Sequence, residues 1–408
     1  MGKLATIKLR DIAHGGDAVG SLDGKAVFVP FGIPGETVRV EITREYARHL
    51  MSRLLDVVEP SPERVQPPCP HFGVCGGCQW QHIAYTRQLE LKRQIVQAQM
   101  ERIARLQVQV LPVIGMPDPW SYRNNIQYGV AASGELGFMA HHSHVLVPIS
   151  ECWIAHPRLE DLAGAFDLQD ANLVGITLRV GAATGEELVL FEGEEEPEIS
   201  VDMPVSCVFM NQRGEVHVLA GDSSLRERLN QRLWRVSAPS FFQVNTEQAE
   251  HLVRKVLERL PGGPGTLVDA YCGVGTFALS LADRYEQVIG IEESPWAIED
   301  AQVNRGASER VAFYEGSTEE LLPGLLPGGS DVVLDPPRAG CAPTVLQALI
   351  AAQTRHIVYV SCDPATLARD LGTLARAGYQ VGEIQPVDMF PQTGHVECVV
   401  SLTRSQNA

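Results

Sequence analysis

Hydrophobic and polar positions change texture three times along the chain. Within residues 4–58, short runs at Leu4–Leu9, Ala26–Pro30 and Val38–Ile42 alternate or are β-branched, and Gly15-Gly16, Asp23-Gly24 and Pro34-Gly35 separate them. Such runs cut by turn pairs predict strands, and about five in so short a stretch predict a small barrel of the oligonucleotide-binding kind. A proline-rich linker, Pro60 to Pro68, follows. Residues 85–105 predict a helix with an apolar stripe of Leu89, Val96, Met100 and Ile103. Arg87, Lys92, Arg93, Arg102 and Arg105 fall on its flanks, a pattern expected of a solvated face rather than an RNA contact. From 120 to 238 the pattern is strand-rich, with turns at Ser133-Gly134, Thr184-Gly185 and Arg213-Gly214 and an acidic, solvated loop from Glu192 to Glu198. From 239 onward strand and helix alternate, with buried strands expected at Thr266–Ala270, Val288–Ile291, Val332–Leu334 and Ile357–Val360. That alternation is the signature of an α/β domain.

Length and composition narrow the picture without naming a function. A chain of 408 residues, 45% hydrophobic and 20% charged, has material for two or three domains and is no disordered polymer. Apolar runs such as Ile357 to Val360 fall far short of the roughly 20 residues that cross a bilayer. No signal-peptide pattern opens the chain, and Met1-Gly2-Lys3-Leu4-Ala5-Thr6 fits the loose myristoylation pattern only as chance allows. A soluble, cytoplasmic monomer is the expectation, with no membrane partner.

A net charge of −17 excludes a uniformly cationic nucleic-acid binder. The sign is uneven, however. Residues 1–125 carry 15 basic against 12 acidic side chains, so the whole deficit lies beyond them. A polyanion would be received by the first third or by a local groove and repelled elsewhere. Nine cysteines are also uneven: Cys69, Cys75 and Cys78 crowd together, and the others stand singly. In a chain too large to need disulfide staples, such crowding points to metal.

Chemistry concentrates at three strand ends of the α/β region. The strand ending at Asp269 and Ala270 runs into Tyr271-Cys272-Gly273-Val274-Gly275-Thr276, and a helix follows. Gly273 and Gly275 let backbone pass close to a ligand, and the helix N-terminus offers free amides. Glu292 closes the next strand 23 residues after Asp269, the spacing at which an acid binds ribose hydroxyls of an adenosine cofactor. Asp335-Pro336-Pro337-Arg338 follows the third strand, its prolines stiffening a loop that suits a planar base beside that cofactor. Nicotinamide domains do not typically carry this loop, so S-adenosylmethionine is preferred. Ser361-Cys362-Asp363-Pro364 follows the fourth strand. Asp363 reads as an N-cap and Pro364 as the first helical residue. Cys362 therefore sits where the helix dipole favours thiolate, with the Asp363 charge opposing it.

Ser361-Cys362-Asp363-Pro364-Ala365-Thr366-Leu367-Ala368-Arg369-Asp370 resembles the nucleophile motif of the RNA 5-methyluridine methyltransferases. The resemblance extends over nearly the whole chain. Phe241-Phe242-Gln243-Val244-Asn245 is similar to the family's cofactor-entry motif, with Gln243 on the methyl donor. Tyr271, Glu292 and Asp335 match further binding positions. His395-Val396-Glu397-Cys398 matches the segment of the general base, Glu397. Residues 4–58 resemble the TRAM RNA-binding barrel. Thr276 stands where many members carry Asn, and no role is assigned to it.

The resemblance implies a multi-domain fold. Residues 1–58 form an OB-like TRAM barrel. Residues 59–81 with 115–238 form a central β-rich α+β domain carrying a metal cluster, and 82–114 with 239–408 form a Rossmann-like α/β methyltransferase. It also implies a [4Fe-4S] cluster on Cys69, Cys75, Cys78 and, in the position of the fourth ligand, Cys152. From spacing alone structural zinc is the rival. His141, His142 and His144 could ligate metal and are read instead as hairpin residues.

The expected activity is S-adenosylmethionine-dependent methylation of carbon 5 of a uridine in structured RNA through a Cys–uracil adduct. 23S ribosomal RNA is preferred because some tRNA enzymes of the family lack the barrel, and the tRNA T-loop is the alternative. Arg123, in Trp120-Ser121-Tyr122-Arg123-Asn124-Asn125, is the expected RNA contact. A non-catalytic iron–sulfur RNA scaffold and an iron–sulfur redox protein are the competing classes. Neither accounts for Gln243, Cys362 and Glu397 together.

Overall fold

The structure, a computed structural model, describes residues 3–141, 143–169 and 172–404. His142 and the Met1-Gly2 start of the lipidation-like pattern lie outside them. Six strands build the first unit: β1 (Leu4–Lys8), β2 (Asp11–Ile12), β3 (Ala18–Leu22), β4 (Lys25–Val29), β5 (Thr37–Glu45) and β6 (His49–Glu59). Their order is β1-β5-β6-β4-β3-β2. Because only Leu9 and Arg10 separate β1 from β2, one bent strand occupies both ends of that order and rolls the sheet into a barrel. Ile7, Val27, Val29, Val38 and Val40 fill it. Asp23 and Gly24, both at positive φ, make the tight hairpin turn that their sequence announces. Glu36 is fully buried and takes both Nε and Nη2 of Arg64, at 2.6 and 2.7 Å, which fastens the linker to the barrel.

Helix α1 (Tyr85–Gln99) continues as a wider turn, Met100–Ala104, with i→i+5 hydrogen bonding. Its Leu91 and Ile95 pack into the barrel core with Trp80 and Ile83, while Val96, Met100 and Ala104 enter the core of the last domain. The expected stripe is therefore wrong at two positions. Ile103 is exposed and Leu89 only half-buried. Residues of the wide turn advance less around the axis, so Ile103 falls off the face that 3.6-residue spacing assigns it. Lys92 is also not on a solvated flank. It is buried, with Nζ on the Asp388 carboxylate and 3.0 Å from Phe390 O. Asp388 in turn accepts from Tyr85 Oη at 2.9 Å.

The central sheet comprises β7 (Asn125–Val130), β8 (Leu136–Met139), β9 (Leu146–Pro148), β10 (Leu173–Val180), β11 (Glu187–Gly193), β12 (Ser206–Asn211) and β13 (Val216–Ala220). Its order is β13-β12-β11-β10-β7-β8-β9. Helix α2 (Pro157–Ala163) covers one face through Leu159 and Leu162. A hairpin of β14 (Ser224–Leu229) and β15 (Arg232–Ser237) leads to the last domain.

That domain alternates α3 (Thr246–Arg259), β16 (Gly263–Asp269), α4 (Thr276–Leu281), β17 (Tyr285–Glu292), α5 (Pro295–Arg305), β18 (Val311–Glu315), α6 (Thr318–Leu325), β19 (Asp331–Leu334), α7 (Pro343–Ala351), β20 (His356–Ser361) and α8 (Pro364–Arg376). It closes with β21 (Tyr379–Val387) and β22 (Glu397–Arg404). The order is β18-β17-β16-β19-β20-β22-β21, with β22 antiparallel to both neighbours. All four expected strands are present, and β18, β21 and β22 join them. Residues 110 and 114 bridge to Ile384 and Val387, so the segment after α1 covers the β21 edge that would otherwise offer unpaired backbone. No helix among the described residues is long and apolar enough to cross a membrane.

Candidate active site

Parallel strands deliver their ligands at their carboxyl ends, and the first is the turn after β16. Gly273 (φ +52°) and Gly275 (φ +90°), the N-cap of α4, take left-handed conformations that a side chain would strain. Glu292, at the end of β17, accepts from Gly273 N at 3.0 Å and from Ser294 N at 2.9 Å. This acid therefore fixes the glycine turn. Half-buried Tyr271 lies 3.4 Å from Glu319 Oε1. Thr276 is the first residue of α4. Asp269 is fully buried; Oδ2 accepts from Ala278 N at 2.8 Å, and Oδ1 has no partner among the described residues. Burial, with Asp335 and Glu292 nearby, pushes its carboxyl up to about 8. Asp335, half-buried beyond β19, is pushed up to about 7 by desolvation.

Cys362 and Glu397 meet through strand pairing. Strands β20 and β22 are antiparallel with Ser361 opposite Cys398, so the register continued by one residue sets Cys362 opposite Glu397. Opposed residues share a face of the sheet, and 35 residues of chain collapse to one cross-strand step. Glu397 is buried, and β22 lies between β20 and β21, so it is no strand-edge surface group. Its carboxyl is held well above the usual range by burial and the Asp335 charge, with Arg338 opposing.

Asp363 caps α8, accepting from Ala365 N and Thr366 N at 2.9 Å each. The dipole that this helix points at Cys362 does not prevail. Burial, then Glu397 and Asp335, push the thiol up to about 12 against the help of Arg338.

Gln243 is held by two domains. Arg179, buried on β10, donates to Ser237 O (3.1 Å) and Ser240 O (2.8 Å). Buried Asp300 accepts from Ser237 N (2.7 Å) and from the hydroxyls of Ser237 (2.8 Å) and Ser240 (2.6 Å). The turn before Phe241-Phe242-Gln243 is thereby clamped. Asn124 Nδ2 reaches Gln243 O at 3.2 Å, and Asn245 Nδ2 reaches Met389 O at 3.2 Å. The entry segment is so tied to the loop leading to Glu397.

Arg123 lies half-buried between these parts, its amide on Ile154 O at 2.9 Å. Burial, then the charges of Arg338, Lys92, Arg123 and His14, hold His395 down to about 4.

Cys69, Cys75, Cys78 and Cys152 line one cavity, together with Phe72, Arg123 and Trp153. All four are half-buried and reduced. Burial pushes Cys78 up to about 12 and Cys152 up to about 11. Among the described residues, no group of three or more His, Cys, Asp or Glu is arranged to hold a metal ion. The cavity still fits a soft-metal group, because its donors are thiols and apolar side chains share its wall. His141 lies in the turn of the β8–β9 hairpin, and His144 is an exposed residue of the same connection.

Sequence reasoning gave no role to His14, Arg179, Asp300 or Arg338. Arg338 carries a local signal, its place in Asp335-Pro336-Pro337-Arg338; the other three act through contacts far along the chain.

The family model described as tRNA (Uracil-5-)-methyltransferase matches residues 219–323 and 329–405, and that of the TRAM domain matches residues 2–55. An uncharacterized RNA methyltransferase of Listeria innocua is 36% identical over 99% of this chain and 98% of its own. One of Streptomyces avermitilis is 36% identical over 98% of each. The crystal structure of Pyrococcus abyssi tRNA (uracil-54, C5)-methyltransferase in complex with S-adenosyl-L-homocysteine superposes with a TM-score of 0.79. It is 30% identical and covers 98% of this chain and 100% of that one.

Proposed function

Since the chain belongs to the RNA uracil-5-methyltransferase family and is a methyltransferase that uses S-adenosylmethionine, we propose that Cys362 and Glu397 carry its covalent mechanism. The observation behind this reading is the register that sets the two side chains opposite each other. Carbon 5 of uracil is too weak a nucleophile to take a methyl group unaided. The Cys362 thiol gives its proton to solvent and its sulfur bonds carbon 6, sending the double-bond electrons through carbon 5 to the 4-oxygen. Bound S-adenosylmethionine supplies a sulfonium methyl, which carbon 5 takes. Glu397 then removes the carbon-5 proton, the double bond re-forms and the thiolate leaves. Once ionised, a form that Arg338 favours, a carboxylate of raised pKa is the stronger base for that last step. Gln243, Tyr271, Gly273, Gly275, Glu292 and Asp335 would hold the donor, and Arg123 would meet RNA.

Trapping separates the two roles. Cys362→Ser should bind RNA and donor and form no adduct. Glu397→Gln should add, methylate and stall as a protein–RNA conjugate that survives denaturation and carries the methyl label. Normal turnover by Glu397→Gln would remove it from the mechanism, and methylation by Cys362→Ser would end the reading altogether.

For the cysteines we propose a [4Fe-4S] group with Cys69, Cys75, Cys78 and Cys152 as ligands, zinc being the alternative. All four thiols line one cavity, and their spacing lacks the two paired C-x2-C knuckles that are zinc's commoner layout. Anaerobic protein should be brown and contain acid-labile sulfide. Stoichiometric zinc without sulfide would overturn the assignment.

For the target, 23S ribosomal RNA is the reading preferred from sequence alone. The barrel no longer favours it, because the tRNA (uracil-54, C5) enzyme aligns over 98% of this chain, barrel included. That overlap supports the tRNA T-loop as the second reading. Mapping 5-methyluridine in both RNAs of a deletion strain decides between them. The protein is proposed to act as a cytoplasmic monomer, which sedimentation and cell fractionation test.

A further inference from the structure

The loop between β2 and β3 of the barrel reaches across the molecule to the nucleophile. His14 Nε2 lies 2.9 Å from Asp363 Oδ2, a contact that spans 349 positions of sequence. Beside it, Gly16 and Gly394 pack backbone against backbone; a Cβ on Gly394 would stand 2.9 Å from Gly16 Cα. Buried Trp80 donates from Nε1 to Gly16 O at 2.9 Å. The loop is thus pinned beneath by Trp80 and laid against both catalytic segments, the Cys362 turn and the approach to Glu397.

The two oxygens of Asp363 have separate duties. Oδ1 takes the amides of Ala365 and Thr366, and Oδ2 faces His14. A ring nitrogen opposite a carboxylate oxygen has to donate, so Nε2 carries the proton of this bond. Burial would raise the Asp363 carboxyl. His14 and the two amides outweigh it and hold the group well below the usual range. An ionised Asp363 next to Cys362 would by itself hinder thiolate formation, as Glu397 and Asp335 do, with Arg338 opposing them.

We propose that His14 is a positioning residue for the nucleophile. By holding Asp363 Oδ2, the barrel fixes the turn that carries Cys362. The barrel thereby takes part in the chemical step as well as in RNA binding. The inference rests on the reading of Cys362 as nucleophile. The charged and titratable groups around this contact are Asp363, Asp335, Glu397, Arg338 and His395.

The test uses the full chain and two probes, 23S rRNA and tRNA transcribed with 5-fluorouridine, on which the adduct cannot be released because fluorine does not leave as a cation. His14→Ala should bind the modified RNA within about twofold of the natural chain. At saturating RNA and donor it should form adduct about tenfold more slowly, as expected for loss of one charge-assisted hydrogen bond. His14→Gln, whose amide can donate to the same oxygen, should recover most of the rate, a result that mere loss of packing would not give. Thermal unfolding should place both variants within a few degrees of the natural chain. An unchanged saturating rate in His14→Ala overturns the proposal. So does a defect seen only as weaker RNA binding, or a slow rate that His14→Gln leaves slow. Adduct formation by Cys362→Ser, or none by the natural chain on either RNA, would instead remove the nucleophile reading and this inference with it.

Discussion

At the scale of single residues, acidic groups crowd the strand ends: Asp335 lies near both Asp269 and Glu397, and burial raises all three carboxyls. Asp269 is the clearest case for linkage. Its pKa of about 8 in the fold lies above the ordinary 3.8, so its contribution to stability is complete at acid pH and drains away as pH rises through 8. Asp269→Asn, which cannot ionise, should gain stability over the natural chain at pH 8 by about 2 kcal/mol or more and much less at pH 5. Urea unfolding at the two pH values checks this, and equal differences at both would refute it. Arg338 is exposed and is the cation that favours ionisation of both Cys362 and Glu397. Arg338→Ala should slow adduct formation about tenfold at saturating RNA and donor, with RNA affinity within about twofold of the natural chain. A defect seen only as weaker RNA binding would place Arg338 on RNA instead.

Among the elements, α1 does the most joining. One face belongs to the barrel core, the other to the methyltransferase core, and Lys92 between them neutralises Asp388 at the start of the loop to Glu397. Burial pulls the Lys92 ammonium down while Asp388 holds it up, with the net effect downward. Cutting a buried pair on one side leaves an uncompensated charge inside. Lys92→Met should therefore cost roughly 3–5 kcal/mol, and Lys92→Met with Asp388→Leu should recover a large part of it. Denaturant midpoints measure both. Equal loss in the single and double variants would mean that packing around the lysine stem, not charge, is what matters.

Across the whole molecule, the barrel is built into the catalytic unit rather than hung on it. Trp80 holds Gly16, Leu91 and Ile95 complete the barrel core, and His14 touches Asp363. Removing residues 1–58 would strip cover from all three, so RNA contact at the barrel is better tested at its surface. Arg44 lies 5.1 Å over the Tyr46 ring, Tyr46 stacks on His49, and Arg48 is exposed on the same hairpin tip. Arg44→Gln with Arg48→Gln should weaken RNA binding and lower the slope of log affinity against log salt by about 1–2, with donor affinity unchanged. An unaltered slope would exclude this tip from the RNA path.

Local pattern was enough for much of this. Turn pairs and alternating runs announced the barrel, and four short apolar strands announced the sheet, because each depends on neighbours in sequence. Motif residues at strand ends, Cys362, Asp335, Glu292 and the Gly273–Gly275 turn, were legible for the same reason: a parallel sheet always delivers its carboxyl ends to one edge. Glu397 was named by resemblance alone, since nothing near it in sequence separates a buried glutamate from a surface one. Its burial and its place opposite Cys362 come from β22 lying between β20 and β21, a pairing over which adjacent residues have no control. The same holds for Lys92, whose flank position by helical spacing is overruled by Asp388, 296 residues away. Charge balance around the thiol was also beyond reach of sequence. A helix dipole can be read locally, but burial and through-space repulsion, which push the Cys362 thiol upward, exist only once distant strands have closed around it.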